Sequence, residues 1–201
     1  MYKKYVKRIL DFLFALILLV ILSPIMLIAA FAIKIEDPKG PVLFKQKRPG
    51  KDAEIFEVFK FRTMIIDTEC DGRKLSDMER ITKVGSFLRK TSIDELPQLF
   101  NVIRGEMSFI GPRPLLVEYL NYYSPDQMRR HEVKPGISGW AQVNGRNAIS
   151  WEEKFKYDVW YVDNQCFFVD LKIFFLTIFN VLYKKGINNS ANDTMPFFTG
   201  N

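Results

Sequence analysis

The sequence predicts an α+β protein. It consists of an N-terminal re-entrant membrane helix-break-helix, a small cytosolic domain of helices with a short β-hairpin, and interfacial amphipathic helices. Three observations lead there. Residues 12–33 carry no charged side chain. Two strand-like runs, Val42-Leu43-Phe44 and Ile55 to Phe61, flank the turn formers Arg48-Pro49-Gly50-Lys51-Asp52. Helical spacing then recurs in the later apolar segments. The expected divisions are a membrane hairpin over 1–36, a cytosolic domain over 37–185 and a loose, polar tail over 186–201.

The uncharged run is about 33 Å long as a helix, against a bilayer core of about 30 Å. Ser23-Pro24 sits at its middle, where proline removes a backbone donor and predicts a break; the Ser23 hydroxyl can satisfy a freed carbonyl. Lys3, Lys4, Lys7 and Arg8 precede the run, and Lys34, Lys39, Lys45, Lys47 and Arg48 follow it. Basic flanks on both sides keep both ends in the cytoplasm, which makes the run re-entrant. A single-pass helix kinked at Pro24, or a signal peptide cleaved near Ala30-Phe31-Ala32, also accounts for its length.

Composition narrows the chemistry. With 48% hydrophobic residues the 201-residue chain is no disordered protein, and with 26% charged residues it is no multispanning one. A net charge of +6 points to an anionic partner: phosphate ligands, anionic lipid or nucleic acid. Two cysteines, Cys70 and Cys166, and the single His131 exclude the usual zinc sites and a histidine-based triad. The cysteines fit a bridge or two reduced thiols. No phosphate-loop, dinucleotide or nucleophile-elbow motif occurs. Catalysis must therefore rest on carboxylates, Arg and Lys, with or without an oxygen-loving metal.

Several segments offer those groups. Alternation along the second strand puts Phe56, Val58, Lys60 and Arg62 on one face, with Lys60 and Arg62 about 7 Å apart, a spacing that suits two phosphate oxygens. Residues 63–82 read as a charged surface loop with a short helix, a candidate lid. Leu96, Leu99, Phe100 and Ile103 follow helical spacing up to Gly105. Pro97 falls harmlessly in the first turn if Asp94 is the N-cap, and this register predicts an Asp94 carboxylate ionised by the helix terminus. In Gly111-Pro112-Arg113-Pro114, two prolines hold one arginine, the side chain suited to bidentate phosphate binding. Lys134 to Arg146 predicts a turn-rich loop that offers Gln142, Asn144 and Arg146 as polar contacts and Trp140 as a stacking face. Trp151 to Tyr161 reads as an aromatic helix. Phe167 to Tyr183 reads as an apolar helix with a polar stripe of Asp170, Thr177 and Asn180, lying in the interface or in the core.

Taken together, Ser23-Pro24, Gln46-Lys47-Arg48-Pro49-Gly50, Phe59-Lys60-Phe61-Arg62-Thr63-Met64, Ser92 to Asn101, Gly105 to Pro114 and Pro135 to Arg146 resemble the bacterial sugar transferases. More narrowly, they are similar to the small monotopic phosphoglycosyl transferases of the PglC type, from Lys7 to about Lys185. Lys134 departs from the arginine that related sequences often carry there, which weakens a bidentate contact. The resemblance implies transfer of a sugar 1-phosphate from a UDP-sugar to polyprenol (undecaprenyl) phosphate with release of UMP. It implies this occurs on the cytosolic face of the bacterial inner membrane. It implies Asp94 as nucleophile on the β-phosphorus, giving an aspartyl-phosphosugar. Glu95 would support the metal or assist the lipid phosphate, and Mg²⁺ would be held by Asp94 and Glu95. Lys60, Arg62, Arg89, Arg113, Gln142, Asn144 and Arg146 are its substrate-binding candidates. A basic lipid- or nucleic-acid-binding module would explain the charge but not Asp94-Glu95 among arginines, so nucleic acid is not an expected partner. A membrane phosphohydrolase with the same aspartyl chemistry is the other alternative.

Overall fold

A computed structural model describes residues 1–70, 72–145, 148–183 and 196–200. After a turn of π-helix at Tyr2–Val6, helix α1 spans Lys7–Glu36. Strands β1 (Leu43–Pro49) and β2 (Ile55–Phe61) form the predicted hairpin, and two-residue strands β3 (Glu69–Cys70) and β4 (Arg73–Lys74) form a second one. Helices α2 (Asp77–Arg80), α3 (Lys83–Thr91) and α4 (Gln98–Arg104) follow, then β5 (Ser108–Ile110) and α5 (Pro125–Met128). Strand β6 (Gly136–Ser138) pairs parallel with β5, and α6 (Trp140–Val143), α7 (Trp151–Asn164) and α8 (Phe167–Leu182) complete the described elements. The predicted surface segment 63–82 thus holds β3, β4 and α2, the last opened by a Ser76–Glu79 capping box. Where the sequence suggests only a turn-rich loop over 134–146, the structure has β6 and α6. Of the predicted loose tail, residues 186–195 and 201 lie outside the described residues.

The break expected at Pro24 does not end the helix: α1 continues through it, and a proline inside a helix is the usual site of a bend. The 30 residues of α1, about 45 Å at 1.5 Å per residue, run as one helix with Pro24 inside. Proline at 24 leaves the Val20 carbonyl without its usual donor, and the Ser23 hydroxyl donates to that same carbonyl at 2.8 Å. The sequence places the substitute donor one residue before the proline, so the turn is kept.

One stripe of α1 is buried along its length: Lys7, Asp11, Ala15, Ala29 and Ile33. Ala15 packs with Val58, Leu99, Val102 and Met107, and Ala29 and Ile33 pack with Phe61 and Leu88. The outer face stays apolar and open, with Val20, Leu27, Ile28 and Phe31 each about two-thirds exposed. Both ends are tied to the same domain. At the first, Lys7 pairs with Asp170 at 2.6 Å, both buried, and Asp170 also accepts from the hydroxyls of Tyr2 and Tyr161 at 2.6 Å each. Arg8 donates to the Val102 and Ile103 carbonyls that end α4. At the other end, Glu36 accepts from the Lys83 and Val84 amides, 2.7 and 2.8 Å, at the start of α3.

The hairpin is completed by a side chain. Fully buried Asn101 of α4 accepts from the Phe59 amide at 3.0 Å and donates to the Glu57 carbonyl at 2.6 Å, occupying the open edge of β2. On α8 the polar stripe faces inward: Asp170 as above, Thr177 to Ser138 at 2.6 Å, and Asn180 to the Val143 carbonyl at 3.1 Å. Phe168, Phe175 and Phe179 face out. This is the reverse of a water-facing helix. Cys166, just before α8, is a free, exposed thiol.

The packing of α1 predicts a contrast between neighbouring positions. Ala15→Leu forces extra methylenes into a fully buried site and should cost about 1–3 kcal/mol. Ile17→Leu, on the exposed face, should change stability by less than about 0.5 kcal/mol. Thermal unfolding of the detergent-solubilised protein reads both; equal effects would place α1 elsewhere.

Candidate active site

The site begins at a reversal of the chain. Helix α3 ends on Ser92, whose left-handed backbone (φ 58°) turns the chain into a 3₁₀ turn over Ile93–Glu95. That conformation costs a non-glycine residue about 1–2 kcal/mol. The turn carries Asp94 and Glu95 to the face of β2. Asp94 is therefore not the N-cap expected from sequence. Pro97 holds that position, three residues later, and the Leu99 and Phe100 amides bond the Leu96 and Pro97 carbonyls. Pro97 still costs no helical bond, as its placement requires, and the 3₁₀ turn takes up the extra residues.

Glu95 is the fixed carboxylate. A single oxygen, Oε1, accepts from Lys60 of β2 and from Arg113, each at 2.7 Å. These two cations outweigh burial and hold Glu95 far below the usual carboxylate range. Asp94 differs: it accepts no hydrogen bond among the described residues. Burial, together with the adjacent Glu95 charge, pushes its pKa up to about 6, while Lys60, Arg89 and Arg113 pull the other way. The sequence expectation of an Asp94 pKa held down by a helix end is corrected accordingly. Asp94 remains mostly ionised at neutral pH, and it is more basic than an ordinary aspartate.

The segment that supplies Arg113 is fixed by backbone pairing. The Gly111 amide donates to Ser138 at 2.9 Å and the Gly136 amide to Pro112 at 3.0 Å. A side chain on Gly136 would come within 2.1 Å of the Gly111 nitrogen, so glycine is required where the two paired segments approach. From beneath, Arg130 donates to the Arg113 carbonyl at 2.7 Å and to Asp158 at 2.8 Å, with the Arg130 and Asp158 side chains 1% and 2% exposed. Although residues 128–132 form a highly charged run, Arg130 and His131 are buried. Arg130 lies 28 residues before Asp158, so no local pattern announces the pair. His131 contacts the Gly50 carbonyl at 3.0 Å, and burial beside Arg130 lowers its pKa to about 4, so it is neutral.

The other predicted residues divide. Arg89 donates to Thr63 at 2.9 Å and belongs to the cationic surround of Asp94. Arg62 does not join Lys60 as a phosphate clamp. Its guanidinium is buried on the Asp37 carboxylate and on the Asp37 and Pro41 carbonyls, where it secures the chain leaving α1. Gln142 donates to Ile137 at 3.3 Å and Asn144 to Trp140 at 2.8 Å, both within their own segment, and neither contacts Asp94 or Glu95. Arg146 lies outside the described residues. Arg48, read in the sequence only as part of the basic flank, the turn and a family motif, and Lys154, not singled out there, both lie within electrostatic reach of Arg113. No group of three or more His, Cys, Asp or Glu occurs among the described residues, so a metal here would rest on two protein carboxylates.

Such a carboxylate pair among cations, on a domain with an apolar anchor, matches a known family. Residues 2–184 match the bacterial sugar transferase model, and the chain belongs to that family. It is 53% identical over 194 residues, 96% of both chains, to an uncharacterized sugar transferase, EpsL, of Bacillus subtilis (strain 168). It is 43% identical over 196 residues to a Klebsiella pneumoniae UDP-glucose:undecaprenyl-phosphate glucose-1-phosphate transferase. That match covers 92% of this chain and 41% of that protein. It is also 43% identical over 187 residues to an Aeromonas hydrophila UDP-N-acetylgalactosamine-undecaprenyl-phosphate N-acetylgalactosaminephosphotransferase, covering 89% of this chain and 44% of that one. The chain thus spans about two-fifths of these longer relatives and nearly all of the Bacillus protein.

The coupling of the two carboxylates is testable by titration. Glu95→Gln removes a like charge beside Asp94 and frees Lys60 and Arg113 from their partner, so Asp94 should titrate below its pKa of about 6. Carboxyl ¹³C shifts of aspartate-labelled protein follow this; a value unchanged or raised would mean that burial alone sets it.

Proposed function

We propose that the chain moves a sugar 1-phosphate from a UDP-sugar to undecaprenyl phosphate and releases UMP. The observation that carries this reading is geometric: Asp94, which accepts no hydrogen bond among the described residues, stands next to Glu95, whose Oε1 holds Lys60 and Arg113 at 2.7 Å each. In the first half-reaction an Asp94 oxygen attacks the β-phosphorus, the bond to the bridging oxygen breaks, and UMP leaves with the electron pair. In the second, an oxygen of the lipid phosphate attacks the same phosphorus, the acyl-phosphate bond breaks, and Asp94 returns as carboxylate. The transferred group carries negative charge throughout, and preorganised cations are the chief means of stabilising it. Lys60 and Arg113, fixed by Glu95, need no reorientation during the step. Glu95 itself is held ionised by them and is unsuited to taking up a proton.

Mg²⁺ fits this donor set, because it is commonly bound through one or two carboxylates with phosphate oxygens and waters completing its shell. Asp94 and Glu95 would hold it, and it would neutralise diphosphate charge.

The membrane reading is a re-entrant anchor on the cytosolic face. What supports it is that Lys7 and Glu36, at opposite ends of α1, bond the same folded domain. A domain with buried ion pairs cannot straddle the bilayer, so both ends share one side. The outward apolar faces of α1 and α8 then meet lipid.

Two outcomes are expected. Incubation with UDP-sugar and Mg²⁺, without lipid acceptor, should add one sugar phosphate to the intact mass of the native protein and none to Asp94→Asn. The half-reaction should fall off below a midpoint near pH 6, about the pKa of Asp94, as its carboxylate gains a proton. An adduct that persists in Asp94→Asn and is lost in Glu95→Gln would reverse the assignment. Separately, Lys3→Cys and Lys39→Cys should both resist an impermeant thiol reagent added to intact cells; modification of either end would refute the re-entrant topology.

A further inference from the structure

We propose that Phe198 is a positioning residue for the Arg113 segment, acting through the aromatic box that encloses Arg130. Residues 196–200 lie against the domain. The Trp151 indole donates to the Pro196 carbonyl at 2.9 Å. Phe198 is 2% exposed, although its neighbours Phe197 and Thr199 are exposed. Its ring meets Phe155 at 5.0 Å, Trp151 at 5.6 Å, Tyr119 at 5.7 Å and Tyr123 at 5.8 Å. Two of these rings, Tyr123 and Phe155, also flank the Arg130 guanidinium at 5.7 and 5.8 Å.

The consequence reaches the site in two contacts. Arg130 is the buried donor to the Arg113 carbonyl, and Arg113 is the cation on Glu95. The strength of the Arg130–Asp158 pair depends on exclusion of water, since a buried pair has its geometry enforced by low-dielectric surroundings. Phe198 supplies one wall of that enclosure from outside α7. Removing its ring opens the box beside Tyr123 and Phe155, hydrates Arg130, and loosens the loop whose arginine fixes Glu95. The role rests on the reading of Arg113 as part of the transferase site. It is distinct from that reading because Phe198 touches neither Asp94 nor Glu95 directly.

Full-length native protein, Phe198→Ala, Phe198→Leu, Arg113→Lys and Phe198→Ala/Arg113→Lys are compared in detergent, with UDP-sugar and undecaprenyl phosphate and UMP as the readout. Phe198→Ala should lower kcat about tenfold, with a smaller change in KM, because a modest displacement of a catalytic cation is costly. Phe198→Leu, which refills most of the volume, should recover most of it. In the Arg113→Lys background Phe198→Ala should cause little further loss, because both changes act on one element. Native kcat in Phe198→Ala, or an equal loss in both backgrounds, overturns the proposal. Hydrogen–deuterium exchange over residues 108–117 reads the loop without turnover: Phe198→Ala should speed it there and not in the β1–β2 hairpin. Unchanged exchange, or equal acceleration in both places, also overturns the proposal. Absence of UMP release by the native protein would instead defeat the transferase reading and leave the exchange result to decide the role of Phe198.

Discussion

One oxygen atom organises the site: Glu95 Oε1, which receives both Lys60 and Arg113. Three otherwise separate parts of the chain, the second strand, the turn before α4 and the loop after β5, meet there. Its charge also acts on its neighbour. Burial, and after it the Glu95 charge, raise the proton affinity of Asp94, the nearby cations lower it, and the balance leaves Asp94 mostly ionised at neutral pH but unusually basic. Two adjacent carboxylates thus take opposite characters because one is bonded and the other is not. Neither backbone position nor helix dipole is needed to separate them.

Everything beneath that atom serves to keep it in place. Ser92 accepts a left-handed conformation so that the turn can approach β2. Gly111 and Gly136 allow two paired segments to approach at backbone distance, and Arg130 bonds the carbonyl of the arginine above it. Strain and buried charge at such positions lower stability, and they persist where the surrounding structure fixes them. Ser92 stands two residues before Asp94, and Arg130 reaches Glu95 through Arg113.

Much of this was legible in the sequence. The hairpin, the stop at Gly105 and the helices over 151–164 and 167–182 follow from turn residues and periodicity. Lys60, Arg113 and the Asp94-Glu95 pair stand out because their residue types suit phosphate. What escaped was non-local. Arg62 looks like a companion of Lys60 by alternation, but Asp37, 25 residues away, claims it. Arg130 carries no mark in the sequence of its pairing with Asp158, 28 residues on. The start of α4 was misplaced because capping rules choose between helix registers and do not foresee a 3₁₀ turn preceding the helix.

The contacts of α1 have a bearing on how the molecule is made. Residues 7 and 8 emerge from the ribosome long before their partners, Asp170 and the carbonyls of Val102 and Ile103. During that interval the apolar stripe of α1 has none of its partners in the domain to lie against. The same contacts make the anchor inseparable from the enzyme: cutting away residues 1–36 would strip the end of α4, expose the seam around Val58 and Leu99, and leave Asp170 buried without Lys7. A soluble version would have to be obtained by recolouring the outer face of α1, not by deleting it.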